Sequence, residues 1–499
     1  MNAPAAAPLS LRNSAVTVTG ENATGIDIRS GDGVFENVTV DASGLASNAL
    51  DVAGLNSSAE LRSSSILASG NGGHAARIQD GAFLGIHASI LKSEAGSALV
   101  LDGSTLSATD GTAIEGDGTL AEFGSDTANA LTFDRDVVAL GDIRFAAGAT
   151  DTDGNGVLDR TSSLSLDNNS YWKGASDAVG DLSLANGSRW DVTGNSNVGS
   201  LSLVGSSVVF DHSDGQYKTL IVDGNFHADN GLLAMNTSLG DDTSPTDLLH
   251  VMGDTSGNAQ IAVTNIGGTG AQTADGIKLV QVDGVSAGAY ALAGRAVGGA
   301  YEYFLYQGGH SNPNDGDWYL RSELSQVTPP VDPCNGGGCT IDPPVDPPVD
   351  PCGGGGCTID PPVDPVRVYR PEGGAYLANQ AAALGLFNMD LHERVGEPSL
   401  AQRQRGDGNL ASAWARVTTD QPRYRVNDQL SGQGRQNVVQ IGSDLTFWGQ
   451  QDRGVVGVMA SSGQATNRIT SELTGYGAEG RVDGRAIGVY GTWMQDADD

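Results

Sequence analysis

The triplet Leu-Ser-Leu occurs at 164–166, 182–184 and 201–203, and Leu220-Ile221-Val222 follows at the same spacing. The residues between are mostly Gly, Asn, Asp and Ser. A fixed period of this size specifies a stacked repeat. Side chains alternate along a strand, so each Leu-Ser-Leu triplet puts two apolar residues on one face and a hydroxyl on the other. Laying successive triplets parallel to one another buries the apolar pairs in a narrow interior, one coil per repeat. The spacing predicts one ladder of Leu164, Leu182, Leu201 and Leu220, and a second of Leu166, Leu184, Leu203 and Val222. Similar triplets precede them at looser intervals: Val16-Thr17-Val18, Val38-Thr39-Val40, Leu50-Asp51-Val52 and Leu99-Val100-Leu101. No helical periodicity crosses residues 1–325. An antiparallel sandwich with evenly spaced strands is the alternative. Four registered triplets favour the solenoid.

Composition agrees. Gly supplies 71 of 499 residues and aromatics only 6%, which suits thin, turn-rich β architecture. Turns between short strands need residues that tolerate positive φ. The formal net charge is −33, and it is uneven. Residues 1–365 hold 14 Lys and Arg against 45 Asp and Glu, whereas residues 366–499 hold 13 against 15. So acidic a surface repels nucleic acid and anionic lipid, and no nucleic-acid partner is expected. It suits a solvated extracellular segment. No apolar run is long enough for a transmembrane helix. "MNAPAAAPLSLRNSAVTVTG" lacks the basic start and apolar stretch of a signal peptide.

Beyond about 230 the pattern changes, and aromatics gather at Tyr301, Tyr303, Phe304, Tyr306, Trp318 and Tyr319. An open solenoid end needs a bulky cap, and this stretch is read as that cap. Residues 327–365 hold eleven of the 18 prolines and read as an extended linker. "YLANQAAALGLFNMDLHER" (376–394) predicts a helix. Strict alternation follows. Val439, Ile441, Leu445 and Phe447 share one face of a strand, with Gln440, Asp444 and Thr446 on the other. Ile487, Val489 and Trp493 alternate with Gly488, Tyr490 and Thr492. Such strands fit a membrane β-barrel with one face to lipid and one to the lumen; a soluble half-buried sheet has the same period.

The order of solenoid, aromatic cap, Pro-rich linker, helix and alternating strands resembles the classical autotransporters (type V secretion) of Gram-negative bacteria, with a pertactin-like passenger. "GNSNVGSLSL", "GLLAMNTSLGDDTSPTDLLHVMGDTSGNAQIAVTNIGGTG" and "GDWYLRSEL" are similar to the C-terminal autochaperone region of such passengers. "YRPEGGAYLANQAAALGLFNMDLHERVGE" is similar to the start of the translocator. The resemblance implies an all-β chain: a right-handed parallel β-helix passenger over 1–229, a passenger cap or autochaperone over 230–326, and a Pro/Gly/Cys linker over 327–366. A pore helix over 367–395 and part of an antiparallel outer-membrane β-barrel over 396–499 would follow. At about ten residues per strand plus turns, the residues after the helix suffice for roughly four strands. The expectation is therefore an internal fragment or truncated gene product. Some members cut themselves at an Asn-Asn pair in the pore helix. Here Asn379 and Asn388 stand singly, so that cleavage is not expected.

The resemblance implies a non-enzymatic surface protein, an adhesin or virulence factor exported by its own barrel, with the passenger outside the cell. Implied partners are outer-membrane lipid and the barrel-assembly machinery through the full-length barrel, and host surfaces or neighbouring cells through the passenger. An exported hydrolase or lyase on the same solenoid is the alternative. "DTDGNGVLDRTS" (151–162) places Asp151, Asp153, Asn155 and Asp159 at positions 1, 3, 5 and 9 of an EF-hand-like loop. Those oxygens suit calcium, but Ser162 stands where the bidentate Glu belongs. An acidic turn between coils is the competing reading. Cys334 with Cys339, and Cys352 with Cys357, form two C-x4-C pairs. Export favours two local disulfides; one zinc site made by both pairs is the alternative. "GVSAG" places Ser286 in a nucleophile-elbow pattern without the strand-to-helix context that the chemistry needs. Arg405-Gly406-Asp407 is read as a chance match. The seven histidines show no ligand spacing.

Overall fold

The computed structural model describes residues 8–324, 366–390, 393, 410–448 and 452–495. It divides into two units, 1–299 with 303–324, and 300–302 with 325–499.

The first unit winds through coils of short strands. One coil is Asn48–Ala53, Ser58–Arg62 and Ser65–Ala68. Each of these pairs in parallel with its equivalent one coil on, so the unit is a parallel β-helix. Leu164, Leu182 and Leu201 are in register, as are Leu166, Leu184 and Leu203. Both ladders continue upstream through Leu131 and Phe133 to Leu106 and Ala108. All these side chains are buried, while Ser165, Ser183 and Ser202 are half-buried on the other side of the strand. Leu50 and Val52 share a different face with Leu99 and Leu101, joined through Ala76 and Ile78.

The fourth triplet departs from expectation. Leu220 and Val222 pair with Ser196 and Val198 on one side and with Leu249 and Val251 on the other, in a separate sheet. The ladder's next rungs are Phe226 and Ala228. Loop length, not strand identity, sets the interval between coils. Equivalent residues lie 18 apart from Leu164 to Leu182 but 33 apart from Leu131 to Leu164, where the 151–161 loop is inserted. Parallel stacking also runs past 230. Phe226–Thr237 pairs with Thr255–Asn265, which pairs with Ala289–Leu292. Longer loops hide the repeat there.

Two devices hold the coils. Between the second and third strands the chain turns through residues of positive φ: Asn37 (55°), Ser63 (47°), Ala88 (45°), and Asp110 (60°) with Gly111 (74°), among them. The bend interrupts strand pairing and leaves a buried N–H that needs an acceptor. The hydroxyl one coil on supplies it. Val38 N–H donates to Ser64 Oγ at 3.1 Å, Ser64 N–H to Ser89 Oγ at 3.0 Å, and Ser89 N–H to Thr112 Oγ1 at 3.4 Å. The second device is aromatic. Trp172 and Trp190 are paired rungs, stacked with centroids 4.7 Å apart and planes within 5°. Their indole N–H groups donate to the carbonyls of Gly141 and Gly174, each at 2.9 Å.

The parallel pattern ends in an antiparallel hairpin. Trp318–Arg321 pairs antiparallel with Ile277–Val282 and with Tyr301–Gln307. Trp318, Tyr319 and Leu320 are buried. Tyr303 is buried too, its hydroxyl accepting from Ala271 N–H at 2.9 Å. Of the six clustered aromatics, Tyr303, Trp318 and Tyr319 are buried, and Tyr301, Phe304 and Tyr306 are half-buried.

The second unit is a helix, Pro371–Gly385, on an antiparallel sheet of Leu410–Asp420, Arg423–Val426, Leu430–Trp448, Asp452–Ser471 and Gly477–Gln495. The helix begins five residues before the Ala-rich run predicted at 376. Pro is favoured in a first turn because its missing N–H has no partner there anyway. Gly374 fits because a Cβ would come 2.9 Å from Ile469 Cγ2. Ala375 and Ala378 pack on Leu430 and Ile469, and Ala382 on Val438 and Ala465. Small residues let the helix lie close to the sheet.

Candidate interaction surfaces

Outward rungs of the solenoid present ladders of polar and charged groups. Tyr171 hydroxyl donates to Asp191 Oδ2 at 2.8 Å, and Arg189 Nε donates to Asp191 Oδ1 at 2.6 Å. Desolvation, then the Asp191 hydrogen bond, pushes the Tyr171 phenol up to about 12. Lys173 Nζ lies 2.7 Å from Asp211 and holds that carboxyl at about 2. Three coils upstream, His87 bridges Glu60 (2.9 Å) and Thr109 Oγ1 (2.8 Å). Gly85 leaves room for this pair, since a Cβ there would sit 2.6 Å from Glu60 Oε1. These groups pair with one another within and across coils, Asp191, Asp211 and Glu60 against Arg189, Lys173 and His87, and most of them are half-buried.

Asp151, Asp153 and Asn155 come together in one exposed turn. Asp151 accepts N–H bonds from Gly154 (2.8 Å) and Gly156 (2.6 Å), which lower its pKa, that of Gly156 most. Asn155 N–H and Nδ2 donate to Asp153 Oδ1 (3.0 Å) and Oδ2 (2.9 Å), and Val157 N–H donates to Asn155 Oδ1 (2.7 Å). Asp159 is set apart, with its N–H directed at Asp126 Oδ2 at 3.4 Å. Among the described residues no three His, Cys, Asp or Glu side chains gather as a metal-ligand set. Ser286 accepts from Gln307 Nε2 at 3.1 Å through its hydroxyl. Cys334, Cys339, Cys352, Cys357 and Arg405-Gly406-Asp407 lie outside the described residues.

The antiparallel sheet has two unlike faces. Toward the helix lie Gln440, Asp444, Ser461 and Asn467, all buried. Asn467 Nδ2 donates to Asn379 Oδ1 at 2.7 Å, and Trp414 Nε1 donates to the Tyr490 hydroxyl at 2.7 Å. The opposite face exposes Val439, Ile441, Leu445 and Phe447, and Ile487, Val489 and Trp493 at 91%, 82% and 73%. Pairing aligns these residues in rows: Ile441 with Ala460 and Ile487, and Leu445 with Val456 and Gly491. Eight residues separate Val439 from Phe447, about 27 Å along the strand and about 21 Å in height at a tilt near 40°. That is the scale of a barrel's apolar band, about 25 Å.

Residues 196–305 match the family model described as Autochaperone Domain Type 1. The match spans the last coils and most of the strand that opens the closing hairpin. The uncharacterized protein YdeU of Escherichia coli (strain K12) is 41% identical over 282 residues, 55% of this chain and 56% of YdeU. The autotransporter adhesin AIDA-I of Escherichia coli is 30% identical over 270 residues, 54% of this chain and 18% of the adhesin. The BrkA autotransporter of Bordetella pertussis (strain Tohama I) is 30% identical over 326 residues, 63% of this chain and 29% of BrkA. The chain thus spans about half the length of YdeU and less of the others. The autochaperone model matches the last coils, and the matches to AIDA-I and BrkA take in 54% and 63% of this chain, so autotransporters are the proteins to which this chain is similar in sequence.

Proposed function

We propose that this chain belongs to a non-enzymatic adhesin of the Gram-negative cell surface. Its β-helix is the extracellular passenger, and its antiparallel sheet is part of the outer-membrane barrel that exports it. The observation that carries this reading is the autochaperone match at 196–305, set on the coils that the antiparallel hairpin closes. The name of AIDA-I supports the adhesin role. The sheet's apolar outer band supports a lipid environment, and the assembly machinery of outer-membrane barrels is the partner this implies. Long faces of repeated polar side chains suit weak multivalent contact with host surfaces or neighbouring cells. The net charge of −33 disfavours nucleic acid.

Beads coated with the purified 499-residue chain test the passenger role. Saturable binding to host cells or clumping of coated beads sustains it. Turnover of a protein or glycan, abolished by one carboxylate substitution, replaces it with the hydrolase or lyase reading. Calcium at the 151–159 turn is part of the proposal, supported by the density of side-chain oxygens there. The ion would take those oxygens from the N–H groups they now accept from. A saturable calorimetric heat lost on Asp153→Asn sustains the site, and the absence of such heat removes it.

A further inference from the structure

Beyond the apolar band, the outer face of the sheet changes character within one row. Val417, Val439, Ser462 and Arg485 are aligned by strand pairing. The following rows bring Arg435 beside Thr466 and Arg481, then Arg423 beside Gln433 and Arg468. With Arg425, which pairs with Asp428 at 3.6 Å, six arginines occupy this half of the face, with Glu479 opposite Arg468 and Asp483 in the row between Arg485 and Arg481. Arg481 pairs with Asp483 at 2.8 Å, and Arg468 with Glu479. Neither Arg435 nor Arg485 pairs with a carboxylate among the described residues, and both are exposed. At the changeover row an open depression of about 610 Å³ is lined by Asn437, Val439, Ser462, Gln464, Asp483 and Arg485. Small Ser462, between longer neighbours, makes the depression. Its volume is in the range of small-ligand sites.

An acidic protein that collects arginine on one band of one face has a local use for it. We propose that this band binds the phosphate groups of membrane lipid headgroups, with Arg435, Arg481 and Arg485 as the contacting residues. The inference rests on reading the sheet as membrane-facing. Three features select lipid over a soluble anion. The band is continuous with the apolar rows, so a lipid whose chains lie on Ile441 and Ile487 presents its headgroup at Arg485. Arginine forms paired hydrogen bonds to phosphate oxygens, which lysine does not, and residues 366–499 contain 13 Arg and no Lys. The 366–499 segment is itself close to neutral, with 13 Arg against 15 Asp and Glu, so its own carboxylates do not impose a strongly negative background on this band.

The test is flotation of the 499-residue chain with two vesicle types, pure phosphatidylcholine and phosphatidylcholine containing a third of phosphatidylglycerol. Binding to the anionic vesicles is expected to be of order tenfold stronger at low salt, and the difference should shrink as salt rises. Replacing Arg435, Arg481 and Arg485 together by Gln should remove the preference while leaving binding to neutral vesicles. Glu479→Gln with Asp483→Asn should increase it. The second variant keeps the test decisive if the first does not fold. Equal binding to both vesicle types, or a preference untouched in both variants, overturns the inference and leaves the membrane-facing sheet standing. A preference equally competed by inorganic phosphate assigns the band to soluble anions and overturns it too. No binding to either vesicle overturns the membrane reading as well.

Discussion

The Ser89 hydroxyl makes two hydrogen bonds whose loss has separate consequences. Its Oγ accepts the N–H of Ser64, one coil earlier, at 3.0 Å, and donates to its own coil at the His87 carbonyl, at 2.7 Å. Both serines are buried. Ser89→Ala removes few atoms but leaves the Ser64 N–H in the corner without an acceptor. A buried donor left unsatisfied costs about 1–3 kcal/mol. Ser107→Ala, on an outward rung, orphans nothing in the interior and should change stability by about 0.5 kcal/mol or less. Guanidinium unfolding followed by circular dichroism measures both, and equal midpoints for the two variants would show that the corner N–H finds water instead. The serine ladder was present in the sequence as a small hydroxyl residue after each turn residue, in Ser63-Ser64, Ala88-Ser89 and Gly111-Thr112. It went unread because the turn residue changes from coil to coil. Only positive φ unites Ser63, Ala88 and Gly111, and φ is not legible from residue type when Ala occupies the position.

At the level of elements, the ladder of leucines was legible because period-2 alternation is a local property of three residues. Which ladder a triplet joins was not. Leu220 sits at the right interval and belongs to another sheet, since the 211–218 loop displaces the count. The barrel-type strands were legible for the same local reason, and Gln440 and Asp444 face the helix as alternation requires. Of the candidate sites, the Asp151 turn was legible as a turn, whereas the arginine band was not. Its members come from four strands and meet only through register. The tryptophan stack is likewise a product of register, with Trp172 and Trp190 in different coils. Trp190→Ala should cost about 3–5 kcal/mol, through the lost transfer energy and the cavity left beneath Trp172. It also leaves the Gly174 carbonyl without its indole donor. Trp190→Phe keeps most of the volume and should recover more than half of that loss. Denaturant midpoints of the two variants compare the terms, and equal losses would mean that the hydrogen bond outweighs the packing.

Across the whole solenoid, stability is a sum of coils and of contacts between neighbouring coils, and those terms are unequal. The first strand, Leu9–Val18, pairs with Asp32–Ala42 and buries none of its residues fully. Leu9 is half exposed. The later coils contain the tryptophan pair, Phe226, and Tyr290 packed on Trp318 with centroids 4.9 Å apart, and they end under the closing hairpin. Local unfolding should therefore start at the first coils and proceed toward the hairpin. Limited proteolysis of the 499-residue chain in low denaturant, read by mass spectrometry, is expected to trim from the amino-terminal coils and leave a resistant piece that includes residues 164–324. Leu320, fully buried between Ile277 and Leu305, tests the cause. Leu320→Asp places a charge in the closing hairpin, where its desolvation opposes folding. If the hairpin anchors the late coils, this variant loses the resistant piece and is cut from both ends. Retention of the same fragment would locate the anchor in the tryptophan stack, and the combination of Leu320→Asp with Trp190→Ala would then be needed to erase it.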